Sequence, residues 1–217
     1  MHPGHINDMA WNALIVFDLY AGTGSATQAF ADAGHTVIKI ELDEYFQAHE
    51  RDVLNLTADY LVNKYGVPDF IWASPPCTTF SVASCGTYWT PEGQPRNQKA
   101  LDGINLVAHT LQLIGELNPS KGYLVENPRG MLRKQLIMNG FERRTVTYCQ
   151  YGESRMKPTD LWGHVPGWVH RPMCQNGDVC HEAAPRGSRT GTQGLKGAKE
   201  RSKIPYELSL ELLQVMS

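Results

Sequence analysis

Asn12-Ala13-Leu14-Ile15-Val16-Phe17-Asp18-Leu19-Tyr20-Ala21-Gly22-Thr23-Gly24-Ser25 is the stretch that decides the fold. Ala13 to Phe17 is continuously apolar and rich in branched side chains, so residues 12–20 read as a buried strand. The glycines that follow permit a sharp turn. Beyond it, Ala26, Ala29, Phe30 and Ala33 share one face of a helix that ends at Gly34. Further strands are expected over residues 36–41, 69–73, 122–125 and 144–149. From Gln98 to Leu117, Leu101, Ile104, Val107, Leu111 and Ile114 recur at helical spacing. Strands alternating with helices imply an α/β fold, a mostly parallel sheet with helices on both faces.

The chain has 217 residues, 41% of them hydrophobic. That suffices for one core with a small annex. No apolar run approaches the roughly 20 residues of a membrane span. Met1-His2-Pro3-Gly4-His5 lacks the layout of a secretory signal, so the expectation is a soluble, cytoplasmic protein. Five scattered cysteines do not suggest a disulfide framework. The net charge of -2 hides an asymmetry. Residues 1–130 carry 7 Lys and Arg against 14 Asp and Glu, whereas residues 131–217 carry 13 against 8. A basic second half suits a polyanionic partner, although surface composition alone produces such splits.

Four clusters sit at strand exits, where doubly wound sheets bind ligands. Asp18 to Ser25 is a glycine turn leading into a helix, with free N–H groups for a ligand. Glu41, ending the second strand, is placed to grip ribose hydroxyls; Asp52-Val53 can close the same pocket around an adenine. Ser74-Pro75-Pro76-Cys77 holds a cysteine rigidly at the sheet edge, either as a reactive thiol or as a small buried hydrophobe. Glu126-Asn127-Pro128 puts a carboxylate at the end of another strand, as an acid for a heterocycle or as a loop anchor. Arg155 and Lys157 alternate, which in an extended segment points both to one face for a phosphate or base contact.

In this order the clusters resemble the DNA (cytosine-5) methyltransferase family, from Val16 to about Trp162. The resemblance implies a Rossmann-like S-adenosylmethionine-dependent methyltransferase fold and methylation of carbon 5 of cytosine in double-stranded DNA. It assigns cofactor binding to Asp18, Tyr20, Ala21, Gly22, Thr23, Gly24, Glu41, Leu42, Asp52, Val53 and Pro75. Cys77 is similar to the nucleophile, Glu126 to the family's Glu-Asn-Val acid, and Arg155 with Lys157 to its Arg-x-Arg pair, which makes Arg155 a third catalytic residue. Thr78, Ser81 and Lys157 are expected at the DNA. The chain departs from the pattern at Ser25, Thr78 and Lys157, and its closing motif around Ile204-Pro205 is a faint echo. An RNA cytosine methyltransferase, or a silent binding module on the same scaffold, are the rival readings.

The expected organisation is a catalytic unit over residues 1–162, a recognition segment over 163–203 and a terminal helix over 204–217. So short a recognition segment looks like that of a minimal bacteriophage-type enzyme with relaxed specificity, and it suggests no obligatory protein partner. Arg186, Ser188, Arg189, Thr190, Thr192 and Gln193 form its candidate DNA loop, the alternative being a merely soluble one. His170, Cys174, Cys180 and His181 suit zinc by type, although their spacing is not that of a standard finger; reduced cysteines and solvated histidines are the alternative.

Overall fold

A computed structural model describes residues 13–183 and 197–217. Six strands form one sheet in the order β2-β1-β3-β4-β6-β5. They are β1 (Ile15–Leu19), β2 (Thr36–Ile40), β3 (Phe70–Ala73), β4 (Tyr123–Pro128), β5 (Arg143–Thr147) and β6 (Pro158–His164). The first four run parallel, and β6 runs antiparallel to both its neighbours. The helices are α1 (Gln28–Asp32), α2 (Ala58–Tyr65), α3 (Cys85–Tyr88), α4 (Gln98–Leu117), α5 (Ala198–Ser202) and α6 (Tyr206–Met216). Among the described residues, no helix is long and apolar enough to cross a membrane.

Period-two alternation along the strands splits the core into two layers. Phe17, Leu19, Ile71, Ala73 and Val125 pack with α2 and α4 residues such as Leu61, Val107 and Ile114 on one face. Val16, Phe70, Trp72 and Leu124 pack with Phe30 of α1 and Leu208 and Leu212 of α6 on the other. Asn97 begins α4 by accepting a hydrogen bond from Ala100 N at 3.2 Å, satisfying one of the helix's orphan donors. The buried stripe of α4 is rotated from the expected one: Leu101 is exposed, while Ala100 and Thr110 are buried. Ala33 likewise lies at the exposed end of α1. The terminal α6 is tied to α1 where Ala29 N donates to Ser209 Oγ at 3.2 Å.

β6 does not follow from the sequence pattern, because it begins with a proline and contains Asp160 and Gly163. The structure accommodates both. Asp160 is fully buried, but Arg133 Nε donates to its Oδ2 at 2.8 Å and Thr145 Oγ1 to its Oδ1 at 2.7 Å. Gly163 has φ +121, and a Cβ there would collide with the Tyr123 carbonyl. Beyond β6, Val165 and Trp168 enter the second core layer, so the expected recognition segment begins with buried side chains.

These contacts predict opposite effects of adding one methyl group. Gly163→Ala forces a strained φ and a backbone clash, and should destabilise the protein by about 2 kcal/mol or more in urea unfolding. Gly115→Ala, exposed in α4 with open space around the new methyl, should stabilise it by about 0.5–1 kcal/mol.

Candidate active site

The β1 exit is built around a buried carboxylate. Asp18 Oδ2 accepts a hydrogen bond from Thr27 Oγ1 at 2.7 Å, whereas its Oδ1 is buried with no partner among the described residues. Burial pushes this carboxyl up to about 7, against the lowering effects of Thr27 and the Lys39 charge. Tyr20 has φ 63, unusual for a residue with a Cβ; its hydroxyl is held 2.7 Å from Thr110 Oγ1 on α4. Gly22, at φ +49, donates its N–H to Glu41 Oε2 at 2.8 Å, and a Cβ there would meet nothing. At Gly24 a Cβ would run into the Lys39 side chain.

Glu41 also accepts from Asp43 N at 3.1 Å, so its carboxylate braces the glycine turn. Leu42 beside it is 61% exposed. Asp52 caps a short turn through Leu54 N at 3.0 Å, and Val53 is buried, its carbonyl 3.0 Å from His109 Nε2. A cavity of about 640 Å³ runs from Thr23 and Ser25 past Tyr151 to Ile204 and Pro205. Ser25 Oγ accepts from Ile204 N at 2.9 Å, closing the start of the terminal helix onto this turn. Approachable backbone at Gly22, an unpartnered buried carboxylate oxygen and an exposed aliphatic side chain at a strand end fit a nucleoside bearing a cationic tail.

The second half of the site lies where β3 and β4 end together. Ala73 pairs with Val125, which sets Ser74 beside Glu126. Asn127 Nδ2 donates to the Pro75 carbonyl at 2.9 Å, tying the proline turn to β4. Glu126 is 5% exposed. Burial pushes its carboxyl up, against the Lys157 charge and hydrogen bonds from Tyr148 and Ser74. The Tyr148 hydroxyl donates to Glu126 Oε1 at 3.0 Å.

Cys77 is half-buried. Burial first and the Glu126 charge second push its thiol up; the charges of Lys157 and Arg201 pull it down. The Cys77 carbonyl receives Phe80 N at 3.0 Å and Ser81 N at 2.9 Å, and Met131 N donates to the Phe80 carbonyl at 2.7 Å. The loop carrying the thiol is therefore pinned on both sides. Cys77 and Glu126 share one electrostatic neighbourhood at the sheet's carboxyl edge. A thiol and a carboxyl so placed can together attack and protonate an electron-poor heterocycle.

Other expected residues lie differently. Lys157 does not project outward: its Nζ sits 4.7 Å from the Tyr148 ring centre and donates to the Arg201 carbonyl at 3.0 Å. Arg155 leaves that face by pairing with Glu182 at 2.5 Å, while its Nε is buried without a partner among the described residues. Arg155 and Lys157 thus have different partners and do not form one outward-facing pair of cations. The Ser81 hydroxyl lies 2.8 Å from Ser84 Oγ, and Thr78 is exposed. Arg186, Ser188, Arg189, Thr190, Thr192 and Gln193 lie outside the described residues.

The expected metal set is corrected. His170 faces elsewhere, with Nδ1 3.1 Å from the Arg171 carbonyl and its ring against Trp168. Cys149 takes its place: the donor atoms of Cys149, Cys174, Cys180 and His181 all lie within 4.8 Å of one another. Sequence reasoning also missed Tyr148 and Ser74 as partners of Glu126. Only the strand pairing brings Tyr148 there, although its place at the end of a β-prone run was visible.

The sequence model of the C-5 cytosine-specific DNA methylases matches residues 14–142, more than half of the chain. The chain belongs to this family. It is accordingly an S-adenosylmethionine-dependent DNA cytosine methyltransferase. It is 27% identical to a probable DNA (cytosine-5)-methyltransferase of Frog virus 3 (isolate Goorha), over 92% of this chain and 99% of that one. Among solved structures, the methyltransferase EhMeth of Entamoeba histolytica shares the fold at a TM-score of 0.53 and 12% identity, over 76% of this chain and 57% of that one. The S. pombe Dnmt2 methyltransferase gives 0.49 at 14% identity, over 74% and 53%. The chain thus spans a little over half the length of these two structures.

The carboxyl of Asp18 yields a test of the cofactor loop. An acid whose pKa is raised by folding binds its proton more tightly in the native state, so stability falls as pH rises between the unfolded and folded values. From about pH 4 to the folded value near 7, Asp18 should cost the cofactor-free protein roughly 4 kcal/mol, with no further change above. Asp18→Asn should remove that slope and be the more stable form at pH 7.5, as read by urea unfolding across the pH range.

Proposed function

We propose that Cys77 is the nucleophile and Glu126 the acid in methylation of carbon 5 of a cytosine drawn out of duplex DNA. What supports this reading is the placing of the half-buried Cys77 and the buried Glu126, whose carboxyl burial pushes up, at the paired ends of β3 and β4. A target base must leave the stack to reach so recessed a pair.

The Cys77 thiolate forms a bond to carbon 6 of the ring while neutral Glu126 gives its proton to ring nitrogen 3, which leaves an enamine with its electron density at carbon 5. S-adenosylmethionine supplies the electrophilic methyl group that this carbon takes up. The carbon 5 proton then passes to solvent, the carbon–sulfur bond breaks toward sulfur, and the thiolate is restored. Nitrogen 3 returns its proton to Glu126. Tyr148 and Ser74 orient the carboxyl for both transfers, and Lys157 favours the anionic forms of both reacting groups. Asp18, Tyr20, Ala21, Gly22, Thr23, Gly24, Glu41, Leu42, Asp52, Val53 and Pro75 hold the cofactor. Thr78 and Ser81 meet the target strand, with residues 163–203 as the recognition segment.

Incubation with labelled cofactor and duplex DNA, followed by digestion to nucleosides, should yield 5-methylcytosine. Label on an exocyclic nitrogen, or label accepted by tRNA in preference to DNA, would contradict the reading. Cys77→Ser should abolish product while retaining cofactor binding, and Glu126→Gln should cost about 10²–10⁴ in kcat.

The pH profile supplies a further prediction. Activity needs Cys77 deprotonated and Glu126 protonated, so kcat/KM should be bell-shaped. Lys157→Ala removes a charge that lowers both groups, so both limbs should move to higher pH. An unmoved profile would count against Lys157 in this role.

A further inference from the structure

We propose that Cys149, Cys174, Cys180 and His181 form a structural zinc site that staples the chain following β6 to the turn beside the reacting carboxyl. Three thiols and one imidazole converge here from three places in the sequence. Cys149 lies in the short helical turn Tyr148–Tyr151, Cys174 in the irregular chain after Trp168, and Cys180 and His181 at its far end. The separations are 3.0 Å for Cys149–Cys174, 3.7 Å for Cys149–Cys180, 3.7 Å for Cys174 to His181 Nδ1 and 3.4 Å for Cys180 to His181 Nδ1. Zn–S bonds of about 2.3 Å and Zn–N bonds of about 2.0 Å at tetrahedral angles put donors roughly 3.5–3.8 Å apart. Two of the four separations meet that spacing and the Cys180–His181 one falls just short of it; the Cys149–Cys174 pair must open around the ion.

The surroundings fit a thiolate site. Gln150 Nε2 donates to Cys180 Sγ at 3.3 Å, the kind of outer hydrogen bond that favours a charged sulfur. Cys174 N donates to Thr147 Oγ1 at 3.1 Å, fixing that ligand to the end of β5. All five cysteines are free, and Cys149 and Cys174 are buried. Residues 170–183 contain no helix or strand and bury little apolar surface. Such a segment gains its order from specific ties, and a metal is a strong one. Ligation at His181 Nδ1 makes Nε2 the N–H nitrogen, exchanging the long 3.4 Å contact from Gly177 N for an outward donor.

The position gives the site its purpose. Cys149 directly follows Tyr148, which holds Glu126, and His181 directly precedes Glu182, which holds Arg155. The ion would thereby fix both the turn behind the reacting carboxyl and the partner of Arg155.

The test is metal analysis of the full chain purified under reducing conditions, which does not depend on methylation. One zinc per chain is expected by mass spectrometry of the metal, and cobalt(II) exchange should give the intense visible bands of a tetrahedral thiolate site. Cys174→Ser and Cys180→Ser should lose zinc at least tenfold more readily to a chelator, whereas Cys85→Ser and His170→Ala should retain it. The cobalt spectrum, read on the unaltered chain, keeps the proposal testable if the cysteine variants fail to fold. Zinc below a tenth of an equivalent with no cobalt bands, a Cys149–Cys174 disulfide in the reduced preparation, or zinc retained by both serine variants would overturn it.

Discussion

The proposed chemistry depends on two parallel strands ending side by side. The pairing of Ala73 with Val125 brings the exits of β3 and β4 together, and the Asn127 amide bound to the Pro75 carbonyl keeps the two turns from separating. A thiol on one turn and a carboxyl on the other then share one patch of protein interior. Neither strand alone supplies the pair proposed to react; their register does.

The same edge concentrates the fold's costly groups. Asp18 and Glu126 are both buried carboxyls held above their ordinary pKa, at the ends of strands in one sheet. Asp160 is also buried, yet Arg133 and Thr145 satisfy it, and it stabilises β6. The contrast separates the two cases: Asp160 has its partners, whereas Asp18 leaves one oxygen unpartnered among the described residues and burial pushes the Glu126 carboxyl up despite its hydrogen bonds from Tyr148 and Ser74. Burying such groups without full compensation sacrifices stability, which is accepted where binding or catalysis uses the mismatch.

The alternating strands and helices were legible because fully buried parallel strands are continuous apolar runs, as at Ala13 to Phe17 and Phe70 to Ala73. The strand-exit clusters followed from that, since parallel topology sends all such exits to one edge. Strand β6 was not legible, because its buried Asp160 and close-packed Gly163 depend on Arg133 and Tyr123 from elsewhere in the chain. Nor were Tyr148 and Cys149, whose roles arise from the antiparallel β5–β6 pair laid against β4. Lys157 was misread for the same reason: its side chain follows the Tyr148 ring rather than the alternation of an extended segment. Contacts within a strand or helix write a period into sequence, and contacts between distant segments do not.

The most direct test of the central claim is peptide mapping of the protein after reaction with cofactor and a duplex carrying 5-fluorocytosine. Fluorine cannot leave carbon 5 as a proton does, so the carbon–sulfur bond formed during turnover should persist. The account predicts one stable adduct, located on Cys77 and absent without cofactor. An adduct on Cys85 or another cysteine, or none at all while ordinary DNA is methylated, would contradict it.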